Sequence, residues 1–427
     1  MMDNFRIQEF DYKKRKRNLS NSASGVVSST KYFPVFEEQN KEKIFKPLSK
    51  TKPLSTPLFS YSEVYWSYLI NKYIDSETPI YQLAYCYDLS KDQPKYYEKG
   101  CIVDNVLEEG ETLVNLLEFF RMYPDSLVNI DDYVNYCEVQ YDYTPILESD
   151  FFRNNKNLSR KLSEQILCSI LRRDDNYHYE NVSLIFKDGK PIKIAPIIDL
   201  EFSQMFMYPD VPSCHERKFS AYDEGMFPIY RYDENKSYDE NMDIFLKKYY
   251  EGSIYDDFDM YKNHLLMRNI KTIVTLHPDL AKEFVNKINQ MKEEIKTFDI
   301  KFDSKFLTTF SSSDWEPTRM LFKENKKTTD DEYIKAQKRA ESQRITLDVD
   351  KFNKNLKKEV IWNIDKITNV INLFMNINNQ KYPDLKTYKN ETLYQQIDRY
   401  PEEIMELLIS ASKNISEPKK VKRSISF

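Results

Sequence analysis

The segment from Leu171 to Leu200, LRRDDNYHYENVSLIFKDGKPIKIAPIIDL, constrains the fold most, because it contains a β-hairpin with polar residues at its open end. The apolar runs VSLIF and PIKIA flank KDGK, and Asp188-Gly189 tolerates the positive φ angles of a two-residue type I′ turn. Such a hairpin returns Asn181, at the start of one strand, and Asp199, past the end of the other, to the same end. An amide oxygen and a carboxylate held together in this way suit a hard divalent cation such as Mg²⁺.

When this segment is taken alone, ordinary turn chemistry is the simpler explanation of the same residues. In that interpretation Asn181 and Asp174 or Asp175 end a helix and begin a turn, and Asp199 caps the next element. The hairpin signal is common to many unrelated folds, so both interpretations stay open on this segment alone.

Length and composition indicate a globular protein with a substantial core. The chain has 427 residues, which is typical of two to three domains or lobes. Hydrophobic residues make up 41% and charged residues 31%, and 32 tyrosines and 26 phenylalanines can bury large areas. A disordered chain is therefore excluded.

The charge balance argues against non-specific nucleic-acid binding by the chain as a whole, since the net charge is −5. Basic runs at 13–17 and 419–423 are either solvated tails or patches that contact phosphate or a partner. The five cysteines form no CxxC pair, which excludes an obvious zinc site or disulfide framework. With no apolar leader or membrane-spanning run, we expect a cytoplasmic protein without a membrane partner.

The pattern along the chain predicts a strand-rich first part and a mostly helical second part. Strands are predicted at KYFPVF, KIFK, IYQLAYCYD and YYEKGCIVD, with a helix around Val64 to Tyr73. Later segments predict helices: EEGETLVNLLEFF, NLSRKLSEQILCSILRR, PDLAKEFVNKINQMKEEIKTF and EVIWNIDKITNVINLFMNI. Residues 324–345 are charged and read as a mobile connection or a polar helix.

Two further signals in the first part concern a phosphate group. Lys46 ends a strand and Glu63 lies in the following helix, where a glutamate can orient a lysine toward the α- and β-phosphates of a nucleotide. Lys46 also fits a surface lysine, and Ser60-Tyr61-Ser62-Glu63 also fits a capping box. Upstream, SNSASGVVSST, which includes Ser24 and Gly25, can cover phosphates with backbone N–H groups or can be a disordered serine-rich segment.

Taken in order, these pieces resemble the HipA-like serine/threonine protein kinases. The resemblance spans residues 20–330 and is carried by the Ser/Gly loop, Lys46, Glu63, the hinge-like YYEKGCIVD followed by LEEGETL, the loop with His178 and Asn181, the hairpin, and IAPIIDLEF. It implies an α+β, two-lobed protein-kinase-like fold with a small β-rich N-lobe and a larger helical C-lobe. The implied division is a basic tail at 1–20, an ATP-binding N-lobe at 21–107, a C-lobe at 108–320 and a helical extension at 321–427.

The resemblance also implies roles for single residues. Lys46 would hold the α- and β-phosphates of ATP, and Glu63 would anchor it. Asn181 and Asp199 would bind Mg²⁺. The remaining implied ATP-binding residues are the loop residues Ser24 and Gly25, in a stretch where the family is autophosphorylated, and the adenine-facing Cys101, Ile102, Val103 and Asp104.

One departure concerns the catalytic loop. The family pattern is D-x-H-x-x-N, but NYHYEN has Asn176 where the aspartate is expected and Asp175 one residue earlier. An asparagine cannot accept a proton from a substrate hydroxyl as a carboxylate can. We expect a one-residue shift in which Asp175 serves, with His178 supporting the loop, and the alternative is a pseudokinase.

Three functions therefore compete at this point. The leading hypothesis is an active kinase that uses ATP and Mg²⁺ on a protein substrate. The second is a nucleotide-binding pseudokinase that regulates a partner, and the third is a helical interaction protein whose basic ends contact nucleic acid. From the resemblance we expect the extra N-terminal domain of longer family members to be missing, with a separate small regulatory or antitoxin-like protein as a candidate for that role.

Overall fold

The structure is a computed structural model that describes residues 5–20, 32–39, 41–47, 56–88, 95–125, 127–128, 141–174, 177–198, 264–303 and 349–378, with the single positions 200, 203, 206, 240 and 306. The predicted α+β class is confirmed in this part of the chain. Strands dominate up to Asn115, and helices dominate the later segments apart from one hairpin.

The first sheet has six strands in the order β1-β5-β6-β4-β3-β2. Its members are β1 (Gln8–Asp11), β2 (Arg17–Ser20), β3 (Tyr32–Glu38), β4 (Lys41–Pro47), β5 (Gln82–Asp88) and β6 (Lys95–Asp104). All neighbours are antiparallel except β1, which pairs with β5 in parallel. The four strands predicted from the sequence are therefore confirmed as β3, β4, β5 and β6.

Helix α1 (Thr56–Tyr73) connects β4 to β5 and is buried on more than one side. Val64, Trp66 and Leu69 are fully buried, as a helix enclosed by other elements requires. At its C-terminal end, Lys72 donates to a carboxylate oxygen of Glu294 at 2.7 Å, and the Tyr68 hydroxyl donates to the other at 3.1 Å. The helix is therefore held by later parts of the chain as well as by the sheet.

The second sheet corrects one prediction. Residues 108–120 were expected to be helical, but Glu111–Asn115 forms strand β7, followed by helix α2 (Leu116–Met122). β7 pairs antiparallel with β8 (Ser183–Lys187), which pairs with β9 (Lys190–Ile194). The β-branched Thr112 and Val114 favour the strand, and the side chain of Asn115 caps α2 by accepting the N–H of Glu118 at 2.7 Å.

The remaining described helices pack into one main hydrophobic core with α1. They are α3 (Thr144–Glu148), α4 (Asp150–Asn154), α5 (Lys156–Arg172), α6 (His264–Leu276), α7 (Pro278–Thr297) and α8 (Val349–Asn378). α5, α7 and α8 confirm three predicted helices. α8 belongs to the part predicted as a C-terminal extension, yet Leu356, Val360 and Ile364 are buried in the same core as α5 and α7.

The predicted basic tail is partly folded, because β1 and β2 belong to the first sheet. Lys16 Nζ lies 3.3 Å from a carboxylate oxygen of Glu37 and 3.3 Å from one of Glu42. Carboxylates of the same chain therefore neutralise part of the positive charge of the basic run at 13–17. The other basic run, 419–423, and the charged stretch 324–345 lie outside the described residues. None of the described helices has the length and apolar character that crossing a membrane requires.

Candidate functional site

Lys46 and Glu63 form an ion pair between the first sheet and α1. Lys46 Nζ lies 2.6 Å from Glu63 Oε1, and the Glu63 side chain is 3% exposed against 18% for Lys46. A carboxylate this buried requires a cation, and the pair in turn fixes the direction of the lysine. α1 begins at Thr56, so Ser60 is not its N-cap and the capping-box interpretation of Glu63 is wrong.

Next to this pair, strand β6 lies unusually close to β4. Lys46 lies opposite Cys101 in the β4–β6 register, and a Cβ added to Gly100 would lie 2.1 Å from the backbone oxygen of Lys46. Glycine is therefore required at position 100. The Cys101 thiol donates to the Ser60 carbonyl at 3.4 Å, and burial raises the pKa of Cys101, with the Glu63 carboxylate acting in the same direction. The thiol thus stays neutral behind the ion pair.

The predicted adenine-facing residues lie at the end of β6. Cys101 and Ile102 have β4 on one side and β5 on the other, so their backbone groups face neighbouring strands and are not available to a base. Val103 and Asp104 pair only with β4, and the chain beyond them is ordered by a bond from Asn105 N to the Glu42 carbonyl at 2.8 Å. Among the described strands, Val103 and Asp104 therefore have a neighbour on one edge only.

The hairpin has the predicted turn. Asp188 and Gly189 adopt φ angles of 53° and 72°, as the type I′ turn requires. At the open end, the Ala195 N–H donates to the Ser183 carbonyl at 2.8 Å. Asn181 and the segment from Ala195 to Ile198 line one pocket there, together with Gln165, Asp174, Tyr177 and Ser183.

The loop before the hairpin is anchored at both of its described ends. Asp174 is buried, and its carboxylate lies 2.5 Å from Arg172 Nη2. Tyr177 donates its hydroxyl to Gln165 Oε1 at 3.2 Å, and Gln165 Nε2 donates to the Ala195 carbonyl at 2.6 Å. Residues 174–178 were predicted to orient a nucleophile, but Gln165 was not predicted, because its contacts depend on how α5 packs on the hairpin.

His178 lies beside Asn181. Its Nε2 is 3.3 Å from Asn181 Nδ2, and its carbonyl accepts the Asn181 N–H at 2.9 Å. The ring is thus placed to orient the Asn181 side chain. Asp175, Asn176, Asp199, Ser24 and Gly25, which were also predicted as site residues, lie outside the described residues.

Hydrogen bonds connect the ion pair to the hairpin end. Ser62, the neighbour of Glu63, donates its hydroxyl to the Leu200 carbonyl at 2.8 Å, and Tyr81 donates its hydroxyl to the Ile198 carbonyl. The carbonyls on both sides of position 199 are therefore bonded to residues of the first part of the chain. The described residues contain no cluster of three or more His, Cys, Asp or Glu side chains that could bind a metal by themselves.

Comparison with known proteins gives little beyond this geometry. No family model matches the sequence, and no curated protein matches it. Among solved structures, the crystal structure of a Helicobacter pylori proinflammatory kinase, CtkA, aligns with 77% of this chain and 98% of its own length, at 13% identity and a TM-score of 0.35. A likeness this distant carries no functional inference.

Proposed function

We propose that this protein is a serine/threonine protein kinase of the HipA-like type, which uses ATP and Mg²⁺ to phosphorylate a protein substrate and itself. The observation that carries the proposal is the partly buried Lys46–Glu63 ion pair at 2.6 Å, connected through Ser62 to the chain beside position 199. A lysine held in this way would meet the α- and β-phosphates of a nucleotide, and the carboxylate of Asp199 would hold Mg²⁺, which would stabilise the charge of the phosphates.

The order of strands supports this assignment. Lys46 lies on a central strand, and residues 21–31 connect the antiparallel neighbours β2 and β3. We assign Ser24 and Gly25 in that connection to the phosphate-covering loop. We assign the adenine contacts to Val103, Asp104 and the chain that follows, since Cys101 and Ile102 are enclosed by strands.

In this proposal the residues that bind the metal lie at the open end of the hairpin, next to the catalytic loop. Asn181 lines the pocket next to the segment that leads to Asp199, and these two residues would bind Mg²⁺. Because Asp174 is paired with Arg172, we assign Asp175 to the substrate hydroxyl. The hydroxyl oxygen would bond to the γ-phosphorus as the bond to the β,γ-bridging oxygen breaks, the proton would pass to Asp175, and ADP would leave.

The test is mass spectrometry of the purified protein after incubation with ATP and Mg²⁺. We expect added phosphate on a serine or threonine of the protein, and Asp199→Ala should reduce its rate roughly 100-fold or more because the metal ligand is lost. The matched control is Asp299→Asn, which removes a carboxylate whose side chain is 61% exposed and pairs with Lys357. Phosphate transfer that survives Asp199→Ala unchanged contradicts the proposed site.

A second candidate is favoured by one observation, the asparagine at position 176 where the resemblance expects aspartate. In that case the protein is a nucleotide-binding pseudokinase that regulates a partner, such as a small antitoxin-like protein. It predicts thermal stabilisation by ATP and Mg²⁺ without phosphate transfer, and a gain of transfer on Asn176→Asp.

A further inference from the structure

The C-terminal end of α5 contains two adjacent buried arginines. Arg172 and Arg173 are both fully buried, and Arg173 ends the helix in the left-handed region with φ 49° and ψ 56°. Burying two guanidinium groups is costly unless carboxylates accompany them. The first is paired within the loop, since Arg172 Nη2 lies 2.5 Å from Asp174.

Arg173, the second arginine, pairs with a residue of α8 that lies 186 residues later in the chain. Arg173 Nη1 lies 3.3 Å from Glu359 Oε2, and the Arg173 guanidinium lies 4.8 Å from the centre of the Trp362 ring. An ion pair and a cation–π contact on one guanidinium fix both its position and its plane.

Asn363, which follows Trp362 in α8, caps the C-terminal end of α5. The last carbonyls of a helix have no partner within it. Asn363, which is fully buried, donates its Nδ2 hydrogens to the Ile170 carbonyl at 3.0 Å and the Leu171 carbonyl at 2.8 Å. Glu359, Trp362 and Asn363 thus contact the last residues before the polar loop.

These contacts reach the pocket through one residue. Asp174 follows Arg173, donates its N–H to the Ser169 carbonyl at 2.9 Å, and lines the pocket with Asn181. We propose that Glu359, Trp362 and Asn363 of α8 are positioning residues for this loop, which sets the geometry of phosphate transfer. This inference rests on the proposed kinase function, and it makes α8 part of the catalytic unit.

The first test is Glu359→Gln, with kinetics measured well below the melting temperature. We expect kcat to fall roughly tenfold or more, since small misplacement of a reacting group is costly. The KM for ATP should change less than about twofold, because the Lys46–Glu63 pair is untouched. The control Asp365→Asn removes a carboxylate of the same helix that is 52% exposed and pairs with Lys292, and it should leave kcat unchanged.

A second pair of variants separates positioning from folding. Trp362→Phe keeps an aromatic face for Arg173 and should retain most of kcat, whereas Trp362→Leu should lose it to the same extent as Glu359→Gln. If all these variants melt at lower temperature but keep the wild-type kcat, α8 only stabilises the fold and the inference is overturned.

Hydrogen exchange tests the inference independently of activity. Peptides that cover 174–182 should exchange faster in Glu359→Gln than in wild type or Asp365→Asn, while peptides that cover Lys46 and Glu63 should not change. Wild-type protein without phosphate transfer would refute the proposed function, and the exchange data alone would then decide the role of α8. Equal exchange at 174–182 in all three proteins refutes the positioning role.

Discussion

Ser62 donates its hydroxyl hydrogen to the backbone carbonyl of Leu200 at 2.8 Å, across 138 residues of chain. The residue after Ser62 is Glu63, the carboxylate of the ion pair, and the residue before Leu200 is Asp199, the proposed metal ligand. One hydrogen bond therefore joins the lysine half of the candidate site to the metal half.

We predict that Ser62→Ala weakens the coupling between these halves. Leu200 is fully buried, so loss of the donor leaves its carbonyl without that bond, at a cost of about 1–3 kcal/mol in the free energy of unfolding. The Mg²⁺ concentration for half-maximal phosphate transfer should rise, because the metal ligand is held less firmly. The control is Ser149→Ala, which removes a buried helix cap from α4 and should lower stability without changing the Mg²⁺ requirement.

We predict that Lys46→Met abolishes the thermal stabilisation of the protein by ATP. The change removes the ammonium that would bind phosphate and the cation that faces the buried Glu63, and breaking a buried pair costs about 3 kcal/mol. The double variant Lys46→Met/Glu63→Gln should recover part of that stability at pH 7 without recovering ATP binding. Differential scanning fluorimetry with and without ATP measures both effects, and a Lys46→Met protein that ATP still stabilises would contradict the assignment of Lys46.

We predict that Gly100→Ala separates β4 from β6. The added Cβ would lie 2.1 Å from the Lys46 carbonyl, so the backbone must move, at about 1–3 kcal/mol of stability, and the ion pair moves with it. Gly189→Ala is the control, because it changes a glycine outside the sheet that contains Lys46. Gly189 has φ 72° in open space at the hairpin turn, so its substitution strains the backbone by about 1 kcal/mol but should leave the ATP affinity unchanged.

We predict that Lys99→Met reduces the rise in stability between pH 8 and pH 10.5. Lys99 donates to the Phe306 carbonyl at 2.8 Å, and burial lowers its pKa from 10.5 to about 8, with Asp303 opposing that shift. Between these values the unfolded chain binds more protons than the folded chain, so the contribution of Lys99 to stability increases with pH. Chemical unfolding across this range measures the slope, and the same substitution at the exposed Lys282 should leave it unchanged.

The sequence was sufficient to predict the elements that depend on interactions between residues close together in the chain. The turn at Asp188-Gly189, the strand that contains Lys46 and the amphipathic helix α5 follow from periodicity and turn chemistry over a few residues. β7 was predicted as helix because its five residues continue into the apolar start of α2, and only the pairing with β8 decides between the two structures.

The candidate site was predictable in part for the same reason. Order along the chain suggested that Lys46 meets Glu63 and that Asn181 returns to the end of the hairpin. Contacts between distant segments gave no signal in the sequence: the Ser62 bond to Leu200, and the approach of Glu359 to Arg173. Such contacts depend on how complete helices pack, and their residue types are ordinary for a solvent-facing helix or a helix end.

The pairing of Arg173 with Glu359 also orders events during synthesis. Translation adds roughly 5–20 residues per second, so the 186 residues between these partners take on the order of 10–40 seconds to appear. For most of that interval the nascent chain already contains Lys46, Glu63 and the hairpin, which ends at Ile194, but α8 has not yet left the ribosome. Until α8 follows, Arg173 lacks the carboxylate of Glu359, so the end of α5 in the growing chain is not yet held by the contacts of the finished fold.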